Sequence, residues 1–182
     1  MNYYTDIKIK PDNEMSGNVL LNKVYTKLHL ALSSAQSTKI GISFPNHNVM
    51  LGNVIRIHGD ETNLLELQST AWLDDLFTYC KITQVQKIPE VVSYQIVSRI
   101  QANMTEAKLR RLIKRNNIPV TDIKKYRAKM CSSGLDNPYL ELDSISNEQH
   151  YRRYLTFRNQ ATELIGDFDH FGLSKTATVP QF

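Results

Sequence analysis

Residues 18–35, NVLLNKVYTKLHLALSSA from Asn18 to Ala35, place Leu21, Val24, Tyr25, Leu28, Leu32 and Ala35 at helical spacing, with Lys23 and Lys27 on the far side. The pattern predicts an amphipathic helix with one face for the core. Before it, Tyr3 to Lys10 alternates Tyr3, Thr5, Ile7 and Ile9 against Tyr4, Asp6, Lys8 and Lys10, as a half-buried strand does. After it, Ile40, Ile42 and Phe44 alternate up to the turn Pro45-Asn46-His47-Asn48, and Val54 to His58 follows Gly52, which together predict a hairpin. Leu64 to Phe77 is expected as a helix offering Leu64, Leu65, Leu67, Trp72, Leu73 and Leu76 to the core, and Lys81 to Ile88 as a last strand before Pro89. The order βαββαβ is the ferredoxin-like arrangement.

Beyond Pro89 a second α/β unit is expected. Val92 to Gln101 alternates so that Arg99 and Gln101 point the same way, and strand-like stretches Tyr139 to Ser146 and Tyr151 to Arg158 precede a final segment to Phe182. Between them lie two basic helices. Lys108 to Lys129 holds nine Lys or Arg against the single acid Asp122. In the first of the two helices, Leu109, Leu112 and Ile113 share one arc while Lys108, Arg110, Arg111, Lys114 and Arg115 share the other. Thr105 is placed to cap its start, Pro119 closes the segment, and a second helix is expected over Val120 to Cys131. Surface helices laced with salt bridges mix both signs, so a face of one sign suits a row of phosphates instead. The fold class is therefore α+β, with a ferredoxin-like domain over residues 1–91 and a related α/β domain over residues 92–182.

Composition agrees with that division. The chain has 182 residues, 41% of them hydrophobic, and a net charge of +4. Residues 1–91 carry 8 basic and 9 acidic side chains and residues 92–182 carry 14 and 9, so the surface that attracts a polyanion belongs to the second half. No apolar run is long enough to span a bilayer and the N-terminus lacks the features of a signal peptide, which points to the cytoplasm. Cys80 and Cys131 stand alone and are expected as buried thiols. The sequence contains no His-Glu-x-x-His, no Cys/His cluster and no phosphate-cradling glycine loop, so neither a metal nor a nucleotide cofactor is expected. Asp74 and Asp75, adjacent on a helix, are expected to diverge by about 100° and read as a solvated face. An RNA-recognition-motif sheet is disfavoured, because Val54-Ile55-Arg56-Ile57-His58 has no aromatic residue on which to stack bases.

Of the five histidines, His29 sits at the rim of its helix's apolar arc, between core and solvent. Imidazole titrates near neutrality, so a rim histidine facing a cleft can take a proton from one hydroxyl or give one to another; most helix-flank histidines do no chemistry, and both readings stand on this spacing alone. His47 and His58 are read as structural.

Several strings then occur in order: Tyr4-x-Asp6-Ile7, Lys27-Leu28-His29, Ile40-Gly41-x-Ser43-Phe44-Pro45, Val97-Ser98-Arg99-x-Gln101-Ala102, the basic helix, Ser144-x-Ser146-x-x-x-Gln149-His150 and Phe171-Gly172-Leu173-Ser174-Lys175. Together, over essentially the whole chain, they resemble the CRISPR-associated endoribonucleases that process repeat RNA in type I-F systems. The resemblance implies metal-independent cleavage at the 3′ base of the repeat hairpin. The 2′-hydroxyl attacks its own 3′ phosphate and leaves a 2′,3′-cyclic phosphate, and the protein retains its product as a subunit of the surveillance complex. By position, His29 resembles the general base, and Ser144 or Ser146, on one strand face, the serine that holds the ribose. Arg99 and Gln101 resemble the pair that reads base edges low in the stem, Lys108, Arg110, Arg111, Lys114 and Arg115 the phosphate contacts, and Tyr151 the aromatic that stacks on the terminal base pair. Phe171 stands where the family can carry a tyrosine near the active site, which implies slower cleavage. A hairpin-binding subunit that cuts little is the alternative, and a general nucleic-acid-binding protein a third.

Overall fold

The computed structural model describes residues 1–89, 93–100, 106–124, 137–143 and 150–182. Strand β1 (Tyr3–Ile9) buries Thr5, Ile7 and Ile9, the face predicted by its alternation. Helix α1 (Gly17–Ser34) buries Leu20, Leu21, Val24, Tyr25, Leu28 and Leu32, and β2 (Gly41–Ser43) and β3 (Val54–Gly59) form the expected hairpin. Helix α2 (Glu61–Ser69) and a 3-10 segment (Asp74–Tyr79) lead to β4 (Cys80–Ile82) and β5 (Gln86–Lys87). The strands run antiparallel in the order β2-β3-β1-β4, with β5 also on β1. That is the ferredoxin-like order.

The second sheet is built from β6 (Ser93–Ile100), β7 (Tyr139–Asp143), β8 (His150–Gln160) and β9 (Val179–Gln181), antiparallel in the order β7-β8-β6-β9. Counting strands within each sheet, both read second, third, first, fourth. Helix α3 (Glu106–Arg115) follows β6, and residues 120–124 begin another helix. The remainder of the predicted helix to Cys131 lies outside the described residues, as do Cys131, Gln101, Ser144 and Ser146.

Three expectations need correction. The helix predicted over Leu64 to Phe77 stops at Ser69, because Ala71 (φ 47°) and Asp74 (φ 49°) take left-handed backbone and turn the chain into a 3-10 segment. The break lets Leu73 and Leu76 bury beside Leu64 and Leu67, while Leu65, off that arc, is 52% exposed. Asp74 and Asp75 do not diverge as on an α-helix: both carboxylates reach Lys27 Nζ, at 3.3 and 3.5 Å. The strand predicted from Lys81 to Ile88 is two short pieces, and between them Thr83 donates its N–H to the Asp6 carbonyl and accepts at Oγ1 from the Asp6 N–H.

Residues 161–178 connect β8 to β9 without helix or strand, and they pack on the first half. Phe168 N–H donates to the Thr38 carbonyl and Ile42 N–H to the Gly172 carbonyl, both at 3.0 Å, while Ser174 N–H donates to Val97 of β6. Gly41 has room for no side chain here, since a Cβ would lie 2.6 Å from Phe168 and 2.7 Å from Val179. Across the first sheet, Arg56 grips Asp6 with two bonds of 2.7 and 2.9 Å and lies over the rings of Tyr4 and Phe182.

Candidate active site

His29 follows the fully buried Leu28 by one helical step, so its imidazole leaves the core at the rim and is half-buried. There it stacks on Phe171, with ring centroids 3.5 Å apart and planes 10° from parallel. Its Nδ1 lies 2.9 Å from the His170 carbonyl oxygen. A carbonyl can only accept, so Nδ1 carries the proton and Nε2 keeps its lone pair. Burial holds the His29 pKa below the usual 6.5; the bond to the His170 carbonyl opposes that, and the Arg153 guanidinium adds to it. Near neutral pH the imidazole is therefore uncharged and able to accept a proton at Nε2.

The partner of this helix is the turn Asp169 to Leu173. Asp169 Oδ1 accepts the N–H groups of Phe171 and Leu173 at 2.9 and 3.0 Å, and the Asp169 and Leu173 main chains close on each other at 2.8 Å. Gly172 takes φ 69°, and a Cβ there would lie 2.8 Å from Ile42 Cγ2, so the turn requires glycine twice over. Tyr25, buried in α1, donates its hydroxyl to the Phe171 carbonyl at 2.9 Å; burial pushes that phenol's pKa far up. The turn is thus tied to the first half at three consecutive carbonyls, those of His170 and Phe171 to α1 and that of Gly172 to Ile42 of β2.

His29 and Phe171 open on a cleft of about 910 Å³ lined also by Arg99, Arg153, His170 and Lys175. The lining also includes Asp167, paired with Lys39 at 2.9 Å, and Asp169, whose carboxylate is taken by its own turn, which leaves the Arg99 and Lys175 cations to meet an anionic substrate. A second cavity of about 480 Å³, among Ile7, Leu67, Trp72 and Phe77, is apolar and separate from it.

Of the residues singled out from sequence, His29, Phe171 and Arg99 meet at this cleft. Tyr151 lies half-buried on β8, its hydroxyl 3.4 Å from Arg153 Nη2. Arg110, Arg111, Lys114 and Arg115 are exposed on α3, and Lys108 lies on the same helix. His58, read as structural, is fully buried with Nε2 2.8 Å from Ser43 Oγ, and burial pushes its pKa down to about 3. His47 donates Nδ1–H to the Phe44 carbonyl at 2.7 Å and stacks on Phe157, tying β2's turn to β8. Cys80 is buried, and its thiol pKa is pushed up to about 11.

Two residues escaped the sequence reading. Arg153 shares a strand face with Tyr151, a signal that alternation offers but that the adjacent Arg152 masks. His170 adjoins the Phe171-Gly172-Leu173 string, yet what it contributes is a main-chain carbonyl, which no residue type announces.

A family model described as CRISPR-associated protein (Cas_Csy4) matches residues 4–182. The chain is 32% identical over 184 residues to a CRISPR-associated endonuclease Cas6/Csy4 of Escherichia coli (strain UTI89 / UPEC), covering 100% of both chains. It is 33% identical over 187 residues to a protein of the same name from Pseudomonas aeruginosa (strain UCBPP-PA14), again covering 100% of both.

Proposed function

The chain belongs to the Cas_Csy4 family of CRISPR-associated proteins, and from that premise we propose that it is an endoribonuclease that cuts precursor CRISPR RNA at the 3′ base of the repeat hairpin. The observation that carries this is the His29 imidazole, its proton fixed on Nδ1 by a carbonyl and its Nε2 lone pair free beside a cationic cleft. Nε2 takes the proton of the 2′-hydroxyl as that oxygen bonds to the adjacent phosphorus. The P–O5′ bond breaks, the 5′ oxygen takes a proton from water as it leaves, and the upstream product ends in a 2′,3′-cyclic phosphate. No metal enters the scheme. Most of the rate comes from holding nucleophile, phosphorus and leaving oxygen in line, the part assigned to Ser144 or Ser146 acting on the ribose.

Binding falls to the second half. Arg99, with Gln101, reads base edges near the stem's lower end, where an A-form major groove opens enough for side chains. Lys108, Arg110, Arg111, Lys114 and Arg115 meet phosphates, and Tyr151 stacks on the terminal pair and sets the register of the cut. The division into a catalytic domain over residues 1–91 and a hairpin-binding domain over residues 92–182 is part of this proposal. Contacts to the stem outlast the cut, so the protein stays on its product as a subunit of the RNA-guided surveillance complex.

The test is incubation of the protein with its host's repeat RNA in EDTA, resolved on a denaturing gel beside His29→Ala. A single cut at the hairpin's 3′ base by the wild type alone is expected. Tight binding without a cut would favour a structural hairpin-binding subunit.

A further inference from the structure

Arg153 is 5% exposed, and its Nε has no hydrogen-bond partner among the described residues. A cation so placed carries a desolvation penalty unless something in contact offsets it. What touches it is the face of Phe171: the guanidinium carbon stands 3.4 Å above that ring's centroid. The His29 imidazole stands 3.5 Å from the same centroid. Two groups cannot occupy one face of a ring at one height, so they lie on opposite faces, and the order through the stack is guanidinium, phenyl, imidazole.

We propose that Arg153 is a positioning residue for His29: anchored on β8, it clamps Phe171 from behind and so fixes the ring against which the base is stacked. This rests on the reading of His29 as the base. The backbone of Arg153 is held in register with Leu140 of β7, and its Nη2 donates to the Tyr151 hydroxyl at 3.4 Å, so the clamp is mounted on a sheet. A phenyl ring has no hydroxyl with which to orient a neighbour. Here it is oriented by contact on both faces, and a flat cation on the π face is the group that holds an aromatic ring best. The stack therefore replaces by packing what a tyrosine at position 171 would supply by hydrogen bonding. The arrangement has an electrostatic consequence, because a fixed cation across one ring disfavours a second positive charge on the imidazole. The charged and titratable groups around His29 are Arg153 from β8 and Asp169 and His170 from the turn.

The test pairs single-turnover cleavage of the repeat hairpin at saturating protein with NMR of the His29 ring in the RNA-free protein, for the wild type, Arg153→Met and Arg153→Lys. In Arg153→Met the rate at saturation should fall about 10- to 100-fold with hairpin affinity unchanged. The wild-type imidazole protons should be shifted upfield by the Phe171 ring, and in Arg153→Met that shift should shrink and the His29 pKa should rise. Arg153→Lys, which keeps the charge but not the plane, should retain the low pKa and lose part of the rate. An unchanged rate with unmoved His29 signals in Arg153→Met would overturn the proposal. So would weakened binding with full rate at saturation, which would make Arg153 an RNA contact. If Arg153→Met does not fold, an unshifted His29 ring in the wild type, or a rate in Arg153→Lys equal to wild type, decides against it. Failure of the base assignment shows separately: His29→Ala would then cut at the wild-type rate, whereas the RNA-free spectra judge the stack whatever the enzyme cuts.

Discussion

The two sheets have one strand order but fill their second connection differently. In the first, β3 reaches β4 through α2 and a 3-10 segment, whose Leu64, Leu67, Leu73 and Leu76 are buried and which carries no part of the candidate site. In the second, β8 reaches β9 through residues 161–178, which form no helix and place four of their main-chain groups on the other half, where Thr38, Ile42, Tyr25 and His29 bond to them. A helix satisfies its own N–H and C=O groups and presents only side chains. An irregular segment must find partners elsewhere, and here one of those partners is the Nδ1–H of His29. The geometry of the candidate site is thus a by-product of the connection that did not become a helix.

That contrast can be broken in several ways. The largest expected effect is on His29→Ala, which should lower cleavage about 10²- to 10⁴-fold, the range for a lost general base, while leaving hairpin affinity within about twofold, as filter binding would show. Next comes Gly172→Ala in the second connection. A Cβ there meets Ile42 at 2.8 Å on a left-handed backbone, so the turn should shift and both cleavage and stability should drop, the latter by about 1–3 kcal/mol. Its counterpart in the first connection, Leu64→Ala, should cost about 2–5 kcal/mol in a urea melt yet leave the saturating cleavage rate of the folded protein unchanged. If both variants lost rate equally, the two connections would not differ in function.

Acid should act on the two halves of the problem separately. His58 is buried uncharged with its folded pKa near 3 against an unfolded value of 6.5. Its contribution to stability is complete above pH 6.5 and is lost as pH falls toward 3, a total of a few kcal/mol; His58→Gln should flatten that slope. In the proposed mechanism the uncharged ring of His29 is the active form, so the rate should rise with pH about a midpoint below the ordinary 6.5. A limb at or above that value would contradict the burial described. Arg115→Ala, on the exposed face of α3, should weaken hairpin binding and reduce the slope of log affinity against log salt by about 1. The smallest effect is expected of Lys27→Ala, whose pairing with the exposed Asp74 and Asp75 should leave the thermal midpoint unchanged.

Much of this was legible in the residues. Alternation places β1 because Thr5, Ile7 and Ile9 repeat at the strand's own period, and the apolar arc of α1 puts His29 at the rim without further information. The end of α2 was not legible, since the left-handed residues that break it are Ala71 and Asp74 and not glycine. Arg153 hid beside Arg152: the pair looks like solvated charge, yet Arg152 is exposed against Glu141 and Tyr139 while Arg153, one residue on, points inward onto Phe171. Nor could spacing show that Phe171 and His29 are in contact, because 141 residues separate His29 from the carbonyl that fixes its tautomer. The resemblance brought those two residues to attention; only the packing shows what each does for the other.

If Nε2 of His29 activates a 2′-hydroxyl, taking that hydroxyl away should stop the cut without disturbing the grip. Repeat RNA with a single 2′-deoxynucleotide at the hairpin's 3′ base, incubated with the wild-type protein in EDTA, should be bound as tightly as all-ribose RNA and remain uncut, while all-ribose RNA yields one product ending in a 2′,3′-cyclic phosphate. Cleavage of the deoxy-substituted RNA at the same position and rate would contradict it.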